Sequence, residues 1–188
     1  EQEVLSAAIQ HQYPGPIVLA VGRLVYYKGF HHLLEAMRQL DATLLIVGDG
    51  PLQRQLEEKA CGHGIRGKVH LLGKVNDTQP YYMAANVFAL PSVARSEGFG
   101  IVQLEAMAAG LPVVNTWLPS TVPHVSLHGR TGLTVPPRNP LALAKALNTL
   151  LDDHELLRRL GDAGRDRFQK EFHASVMISR TMRHYNSI

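Results

Sequence analysis

Short runs of apolar residues alternate along the chain with longer segments in which apolar residues recur every three or four positions. Short runs bounded by glycine, proline or polar residues are typical of strands buried on both faces, whereas the longer spacing is typical of amphipathic helices. The predicted strands are residues 17–21, 42–47, 69–72, 87–90 and 113–115. Because strands alternate with helices, the pattern predicts an α/β fold with a doubly wound parallel sheet.

The predicted helices follow the strands in order, and several begin or end at a recognisable signal. The first three are predicted to begin near Gly29, Pro51 and Thr78. The others are predicted at residues 100–109, 140–151, 155–160, 163–172 and 174–185. The stretch before the Pro-Gly-Pro sequence at 14–16 is interpreted as a linker or a short helix. The predicted division is therefore this segment at 1–14, a sheet domain at 15–172 and a C-terminal helix at 173–188.

The chain is organised around residues 96–112, SEGFGIVQLEAMAAGLP, which are predicted to form a glycine-rich loop followed at once by a helix. Gly98 and Gly100 leave bare backbone at the helix start, so a ligand could approach its free N–H groups closely. A helix N-terminus also carries a partial positive charge that favours anions. Gly110 suits the position after the helix, and Pro112 prevents its continuation. The segment therefore predicts an anion-binding helix start.

Two carboxylates, Glu97 and Glu105, flank this helix start. Because the helix is apolar nearly all round, we expect it to be buried on most sides and Glu105 to be hydrogen-bonded. Its partner could be the backbone or a core hydroxyl, or else a hydroxyl of a ligand. In a wholly helical segment the two carboxylates would lie about 12 Å apart along the axis. That layout suits a nucleotide sugar, which has hydroxyls at both ends and an anion between them.

Two cations, Arg23 and Lys28, lie in the loop GRLVYYKGF between the first strand and the next helix. In an open α/β sheet, loops at this end of the strands face the ligand. The two cations could neutralise a diphosphate there. The alternative is a solvated loop whose charges are unrelated to any ligand.

Two other motif matches are rejected. The Gly-Asp-Gly-Pro sequence at 48–51 has Gln53 where a dinucleotide fingerprint has its third glycine, and no acidic residue follows about twenty positions later. NAD is therefore not expected, and a tight turn with Pro51 at the first helical position is preferred.

His124 and His128 have the spacing of a metal-binding pair on a helix. Proline and glycine interrupt that segment and no acidic third ligand is nearby, so no metal site is assigned.

Composition narrows the class of protein. A chain of 188 residues with 45% hydrophobic content argues for one globular domain with an ordinary core. The net charge of +3 comes without a dense block of lysine or arginine, so nucleic acid is not an expected partner. The single cysteine, Cys61, excludes an intramolecular disulfide. No apolar run is long enough to span a membrane.

Several motifs together resemble one family. Glu97 and Glu105, seven residues apart in the frame SEGFGIVQLEAMAAGLPVV, resemble the EX7E signature of retaining GT-B glycosyltransferases of the GT4-like group. The sequence GRLVYYKG resembles that family's Arg and Lys pair, and residues 130–135 resemble its TGxLV strand. The resemblance covers roughly residues 17–151. It fits the C-terminal, donor-binding half of a two-domain enzyme, and implies a Rossmann-like sheet whose N-terminal partner half is missing here.

The resemblance implies roles for two sets of residues. The catalytic set would stabilise the leaving diphosphate and orient the donor sugar, and consists of Arg23, Lys28 and Glu97. The donor-binding set would contact the base, the phosphates and the ribose, and consists of Gly73, Lys74, Val75, Gly98, Phe99, Gly100, Ile101 and Glu105. No D-x-D motif appears, so no metal or other cofactor is expected, and the cations and the helix start would carry the diphosphate charge instead.

The implied reaction is transfer of a hexose from a nucleotide-diphosphate sugar to a saccharide or lipid-linked acceptor, with retention at the anomeric carbon, in polysaccharide biosynthesis. The implied partners are the donor, the acceptor and the missing N-terminal domain, to which the helix at 173–188 would cross. Without that domain, the chain is expected to bind donor but not to transfer. The expected location is the cytoplasm, either free or in peripheral contact with the inner face of the membrane. The alternatives are a non-catalytic nucleotide-binding module, or a nucleotide-sugar epimerase or phosphorylase on the same fold.

Overall fold

The computed structural model describes residues 1–185, which contain one six-stranded parallel sheet. Its strands are β1 (Ile17–Val21), β2 (Thr43–Val47), β3 (Val69–Gly73), β4 (Val87–Leu90), β5 (Val113–Thr116) and β6 (Gly132–Val135). Their order across the sheet is β3-β2-β1-β4-β5-β6, and every neighbouring pair is parallel. The predicted doubly wound α/β fold is confirmed, and all five strands predicted from apolar runs are present.

Helices cover both faces of the sheet. They are α1 (Gln2–Gln12), α2 (Phe30–Met37), α3 (Gln53–Gly62), α4 (Gln79–Ala84), α5 (Ile101–Ala109), α6 (Val122–Val125), α7 (Pro140–Asp152), α8 (His154–Arg167) and α9 (Ala174–Tyr185). Short 3-10 turns span Tyr26–Lys28 and Arg66–Lys68, and a π-helical segment spans Phe168–Phe172. Within residues 1–185, no helix has both the length and the apolar character needed to cross a bilayer.

The apolar strands are continuous runs because each of their faces packs against helices. In β1, Val18 and Ala20 belong to the core shared with α2, α3 and α7. The alternate residues Ile17 and Leu19 belong to the second core, shared with α4 and α5. Successive side chains of a strand lie on opposite faces, so a sheet covered on both sides needs apolar residues at every position. The core residues of β1 are at most 1% exposed.

The N-terminal segment is the first place where the structure decides between two predictions. Residues 1–14 are mostly the helix α1, so the interpretation as a linker is wrong and the interpretation as a helix is correct. The Nε2 atom of Gln2 donates to Asp77 at 3.1 Å, and that of Gln10 donates to the Ala84 carbonyl at 3.4 Å. Ile9 packs against the second core. The helix is therefore part of the sheet domain, joined to α4.

The C-terminal helices also differ from the prediction. Residues 154–167 form one helix, α8, where two helices at 155–160 and 163–172 were predicted. Glycine normally weakens a helix interior, but Gly161 permits close packing, because a Cβ there would lie 2.1 Å from the Gly110 carbonyl oxygen. The helix predicted at 174–185 is confirmed as α9, and residues 186–188 of the predicted C-terminal segment lie outside the described part. Helix α3 begins at Gln53, so Pro51 precedes it rather than opening it.

The strand order creates one crevice at the carboxyl ends of the strands. The chain passes from β1 outward to β2 and β3, and then returns to place β4 on the other side of β1. Where the strand order reverses in this way, the loops after the two central strands diverge and leave room for a ligand. The loops that follow β1 and β4 carry Arg23, Lys28 and Glu97.

Candidate functional site

A buried ion pair lies at this crevice. The Nζ atom of Lys28, at the end of the 3-10 turn after β1, is 2.6 Å from Oε2 of Glu97, in the loop after β4. Lys28 is 8% exposed and Glu97 is 7% exposed. The hydroxyl of Ser92 donates to the same Oε2 atom at 2.8 Å. The structure therefore brings together two of the three predicted catalytic residues, although 69 positions separate them along the chain.

Backbone contacts hold the two loops in this arrangement. The N–H of Val93 donates to the carbonyl of Tyr27 at 2.7 Å. Gly29 has φ of 69°, and a Cβ there would lie 2.1 Å from the Pro91 carbonyl oxygen. Only glycine combines that φ with so close an approach. The residues on either side of Lys28 are thus tied to the loop after β4, which sets the position of its ammonium group.

Arg23 has a different environment from Lys28. It follows β1 directly, and its side chain is exposed. Among residues 1–185 it forms no ion pair, whereas Lys28 is paired with Glu97. The structure therefore places the two cations on one loop, with one charge in the crevice wall and the other at the surface.

The glycine-rich loop ends where the sequence predicts, and α5 begins at Ile101. Gly100 is its N-cap in the left-handed region, with φ of 69°, and supplies no side-chain cap. A Cβ at Gly100 would lie 2.8 Å from Cδ2 of Leu90. The first N–H groups of a helix have no partner within the helix, and they point along its axis toward the positive end of its dipole. Gly98 is exposed, and a Cβ there would meet no atom within 4 Å.

A buried pair of amides supports this loop, and sequence reasoning missed it. Nε2 of Gln103 donates to the carbonyls of Phe99 at 2.8 Å and Val122 at 3.3 Å. Nδ2 of Asn115 donates to Oε1 of Gln103 at 3.2 Å. Gln103 and Asn115 are at most 1% exposed. The sequence did contain a signal for these two residues, since each is a polar residue inside an otherwise apolar run. Such a polar group is buried only when it is hydrogen-bonded.

The loop is also held from the α6 and α8 side. The N–H of Thr121 donates to the Gly98 carbonyl at 3.0 Å. The ring of Phe99 meets that of Phe172 edge to face, with centroids 6.2 Å apart. The guanidinium of Arg167 lies over the Phe172 ring at 5.3 Å, and donates to the last carbonyls of α6. The backbone of the glycine-rich loop is therefore fixed by contacts with three other parts of the chain.

Glu105 is hydrogen-bonded, as predicted, although it is exposed rather than buried with the apolar residues of α5. Its side chain is exposed, and the hydroxyl of Tyr82 on α4 donates to its Oε2 atom at 2.8 Å. Burial raises the pKa of Tyr82, and the charge of Glu105 raises that pKa further. Ile101, which is 66% exposed, and Glu105 lie one turn apart, and the remaining residues of α5 are buried or half-buried. The expectation that α5 is buried on most sides is therefore confirmed.

Glu105 lines a cavity between α4 and α5. The cavity has a volume of about 350 Å³, and Tyr82, Met83, Ala108 and Ala109 line it together with residues 77–79. The carboxylate therefore has one hydrogen-bonded oxygen and an open space beside it. This position is compatible with both alternatives for Glu105. Its carboxylate can be hydrogen-bonded only to a hydroxyl of the protein, or it can also bind a hydroxyl of a ligand.

The candidate base-binding residues lie at the end of β3. Gly73 ends that strand with φ of 68°, and its carbonyl accepts from the N–H of Gly48 at 2.8 Å. Lys74 is exposed, and Val75 is half-buried against the second core. Residues 75–77 and α1 line a groove of about 410 Å³. These residues share the carboxyl edge of the sheet with Lys28 and Glu97, two strands away from β1.

The two histidines of the rejected metal motif do not share a helix. Helix α6 ends at Val125, so it contains His124 but not His128. The Nδ1 atom of His128 accepts from the N–H of Thr134 at 2.9 Å. In the part of the chain that the structure describes, no three His, Cys, Asp or Glu side chains are arranged to hold a metal ion.

Comparison with known proteins identifies the family. The chain belongs to the glycosyl transferases group 1 family, whose model matches residues 1–167. The D-rhamnosyltransferase WbpZ of Pseudomonas aeruginosa is 37% identical over 158 residues, which are 83% of this chain and 41% of WbpZ. The prediction of a glycosyltransferase is thereby confirmed at the level of the glycosyl transferases group 1 family.

Solved structures have the same fold. Anabaena Alr3699/HepE, solved in complex with UDP-glucose, superposes with a TM-score of 0.90 at 24% identity, over 98% of this chain and 53% of that protein. The C-terminal domain of LpcC, a glycosyl transferase group 1 family protein from Francisella tularensis, superposes with a TM-score of 0.79 at 22% identity, over 93% of this chain and 94% of that domain. The Rossmann-like half of a GT-B glycosyltransferase is therefore the correct fold class. The chain spans about half the length of the curated relatives it matches.

Proposed function

We propose that this chain is the donor-binding half of a retaining, metal-independent GT4-type glycosyltransferase. The complete enzyme moves a hexose from a nucleotide-diphosphate sugar to a saccharide or lipid-linked acceptor. The observation that carries the proposal is the buried Lys28–Glu97 pair, which lies at the reversal of strand order next to a glycine-rich helix start. A buried ion pair is costly to maintain for stability alone, so its position at a ligand crevice favours a functional role.

The diphosphate is assigned to Lys28, Arg23 and the start of α5. The Lys28 ammonium has three protons to donate and directs one to Glu97, so it can also bind a phosphate oxygen. Arg23 is exposed on the same loop, and the backbone N–H groups at 98–101 meet the phosphates. As the bond to the sugar breaks, negative charge grows on the diphosphate. Donors held in advance around that charge stabilise the transition state without a metal.

The donor sugar is assigned to Glu97. Lys28 and Ser92 both contact Oε2 of this carboxylate, and among residues 1–185 the Oε1 atom has no hydrogen-bond partner. That oxygen can accept from a hydroxyl of the sugar, while the other oxygen is held in place. At the β3 end of the site, Gly73, Lys74 and Val75 form part of the base pocket through their backbone atoms.

The relatives favour transfer over the alternatives. WbpZ is a D-rhamnosyltransferase by name, and Alr3699/HepE binds UDP-glucose in its crystal structure. A non-catalytic nucleotide-binding module would have no need for a buried Glu97 beside the anion site. An epimerase or phosphorylase would need further acid, base or cofactor groups, and the proposed site does not require them.

The acceptor is assigned to an N-terminal half that this chain does not contain. The sheet supplies one wall of a cleft, and transfer requires donor and acceptor to be held together in attack geometry. The chain alone therefore binds donor without transferring the sugar. Helix α9 carries the exposed apolar residues Met177, Ile178 and Met182, and we assign this face to contact with the N-terminal half. We assign the enzyme to the cytoplasm, and we assign any contact with the inner face of the membrane to the N-terminal half.

Calorimetric titration with UDP, GDP and ADP, in EDTA and again in excess Mg²⁺, tests the donor site. One diphosphate is expected to bind with the same affinity in both buffers, because side chains and backbone amides supply the neutralising charge. Arg23→Ala should weaken binding of that diphosphate more than binding of its nucleoside. Arg54→Ala is the matched control, since Arg54 is exposed on α3 and paired with Glu58. Affinity that is lost in EDTA would contradict a metal-independent site.

A second titration tests whether Glu105 contacts the ribose. Glu105→Ala should weaken binding of the diphosphate by about 1.5–3 kcal/mol, the range of a hydrogen bond to a charged group. A dideoxy nucleotide should already bind wild type weakly, and the two changes together should cost clearly less than their sum. Because Glu105 is exposed, the melting temperature of the ligand-free variant should hardly change. Additive losses would mean that Glu105 does not touch the ribose.

A further inference from the structure

An exposed tryptophan lies at the carboxyl edge of the sheet, outside every group of residues assigned above. Trp117 follows β5 directly, is 66% exposed, and is the only tryptophan in the sequence. It lines an open groove of about 410 Å³ together with His128, Thr134, Val135, Pro136 and Pro137. We call this the Trp117 groove. A large aromatic side chain that stays exposed beside two prolines offers a flat apolar surface of the kind that binding sites use.

The Trp117 groove adjoins the donor site through a short chain of hydrogen bonds. The hydroxyl of Thr116 donates to the carbonyl of Ser92 at 2.5 Å. The hydroxyl of Ser92 donates in turn to Glu97. Trp117 therefore directly follows Thr116, which is hydrogen-bonded to Ser92, and Ser92 in turn holds the carboxylate assigned to the donor sugar. The groove therefore lies on the β5 and β6 side of the loop that carries Glu97.

The groove also has a polar group that the protein does not use within residues 1–185. Because the Thr134 N–H donates to Nδ1 of His128, the neutral imidazole must carry its proton on Nε2, where it can donate. A flat aromatic surface with a hydrogen-bond donor at its margin is the composition expected of a small-molecule site.

These features suit a saccharide. One face of a pyranose ring presents C–H groups, whose partial positive charge favours the negative face of an indole. The ring margin carries hydroxyls, which can accept from His128 Nε2–H. We propose that the Trp117 groove is a saccharide subsite that holds one sugar ring of the acceptor, while the N-terminal half binds the rest of the acceptor. The assignment to the acceptor rests on the proposed function, whereas saccharide binding by the groove does not.

Tryptophan fluorescence, excited on the long-wavelength side where tyrosine does not absorb, tests the subsite directly, because Trp117 is the only tryptophan in the sequence. Titration with methyl α-mannoside, methyl α-glucoside and their disaccharides should give a saturable blue shift with at least one of them. His128→Ala should weaken that response at least fivefold. His124→Ala is the matched control, since His124 is exposed on α6 and outside the groove, and it should leave the response unchanged. Trp117→Ala should abolish saccharide binding measured by calorimetry.

The same variants separate this inference from the proposed function. Trp117→Ala should bind nucleoside diphosphate as tightly as the wild type, since the groove is separate from the anion site. Saccharide binding by a wild-type chain that binds no nucleotide would support the groove and overturn the donor site. Four results would overturn the groove: no saturable shift with any of the saccharides, an equal shift with a nucleoside, an equal loss in both histidine variants, or self-association that Trp117→Ala removes.

Discussion

Lys28→Met is expected to lower the free energy of unfolding by about 3–5 kcal/mol, and to eliminate measurable binding of nucleoside diphosphate. The variant keeps the length of the side chain but removes its charge, and leaves Glu97 buried with Ser92 as its remaining hydrogen-bond partner. An unpaired charge in a buried position is costly, because the protein replaces neither its lost hydration nor its partner. Urea unfolding measures the stability, and calorimetry measures the binding.

The double variant Lys28→Met/Glu97→Leu separates stability from function. Replacing both members of a buried ion pair by apolar residues is often neutral for stability, so this variant should recover most of what the single variant loses. It should still fail to bind diphosphate, because the ammonium is absent. A loss of less than about 1 kcal/mol in Lys28→Met would mean that solvent screens the pair as it does a surface salt bridge. Diphosphate binding restored in the double variant would remove Lys28 from the anion site.

Gly100→Ala is expected to reduce both stability and diphosphate binding. Holding a residue with a side chain in the left-handed region costs about 1–3 kcal/mol, and the new Cβ would also press against Leu90. Relief of that contact would shift the start of α5, and with it the N–H groups that are assigned to the phosphates. Urea unfolding and diphosphate calorimetry of the same protein preparation measure the two effects together.

Gly98→Ala is the matched control for that variant. No protein atom lies within 4 Å of a Cβ at this position, so the stability should stay within about 0.5 kcal/mol of wild type. Diphosphate binding should nevertheless weaken, because the methyl group keeps the ligand away from the backbone. Wild-type affinity in Gly98→Ala would mean that the ligand does not approach the loop there. Wild-type stability in Gly100→Ala would mean that the left-handed conformation is dispensable.

The strands and the start of α5 could be predicted because their signals are local. A strand buried on both faces needs consecutive apolar residues, so β1 and β4 were predicted with their observed ends. Gly98 and Gly100 marked a helix start with bare backbone, and the structure shows that Gly100 is the N-cap in the left-handed region. The family motifs identified Lys28 and Glu97 as members of one site.

Which face of α5 stays exposed could not be predicted, because it depends on the neighbours that cover each face of the helix. The helix sequence is apolar nearly all round, yet Ile101 and Glu105 are exposed, and Glu105 lies beside α4. Two helices were predicted at 155–160 and 163–172, with Gly161 between them. Whether the helix continues through Gly161 depends instead on the close approach of Gly161 to Gly110, more than fifty positions earlier.

The sequence by itself determined the class of fold, the family, and the residue types available for binding an anion and a sugar. Only the tertiary structure decided how they are arranged, because strand order brings the loops after β1 and β4 together. The ion pair of Lys28 with Glu97 and the support of the glycine-rich loop by Gln103 and Asn115 both depend on that packing. Hydrogen bonds and ion pairs between distant segments leave no local pattern, since any polar residue of suitable length could make them.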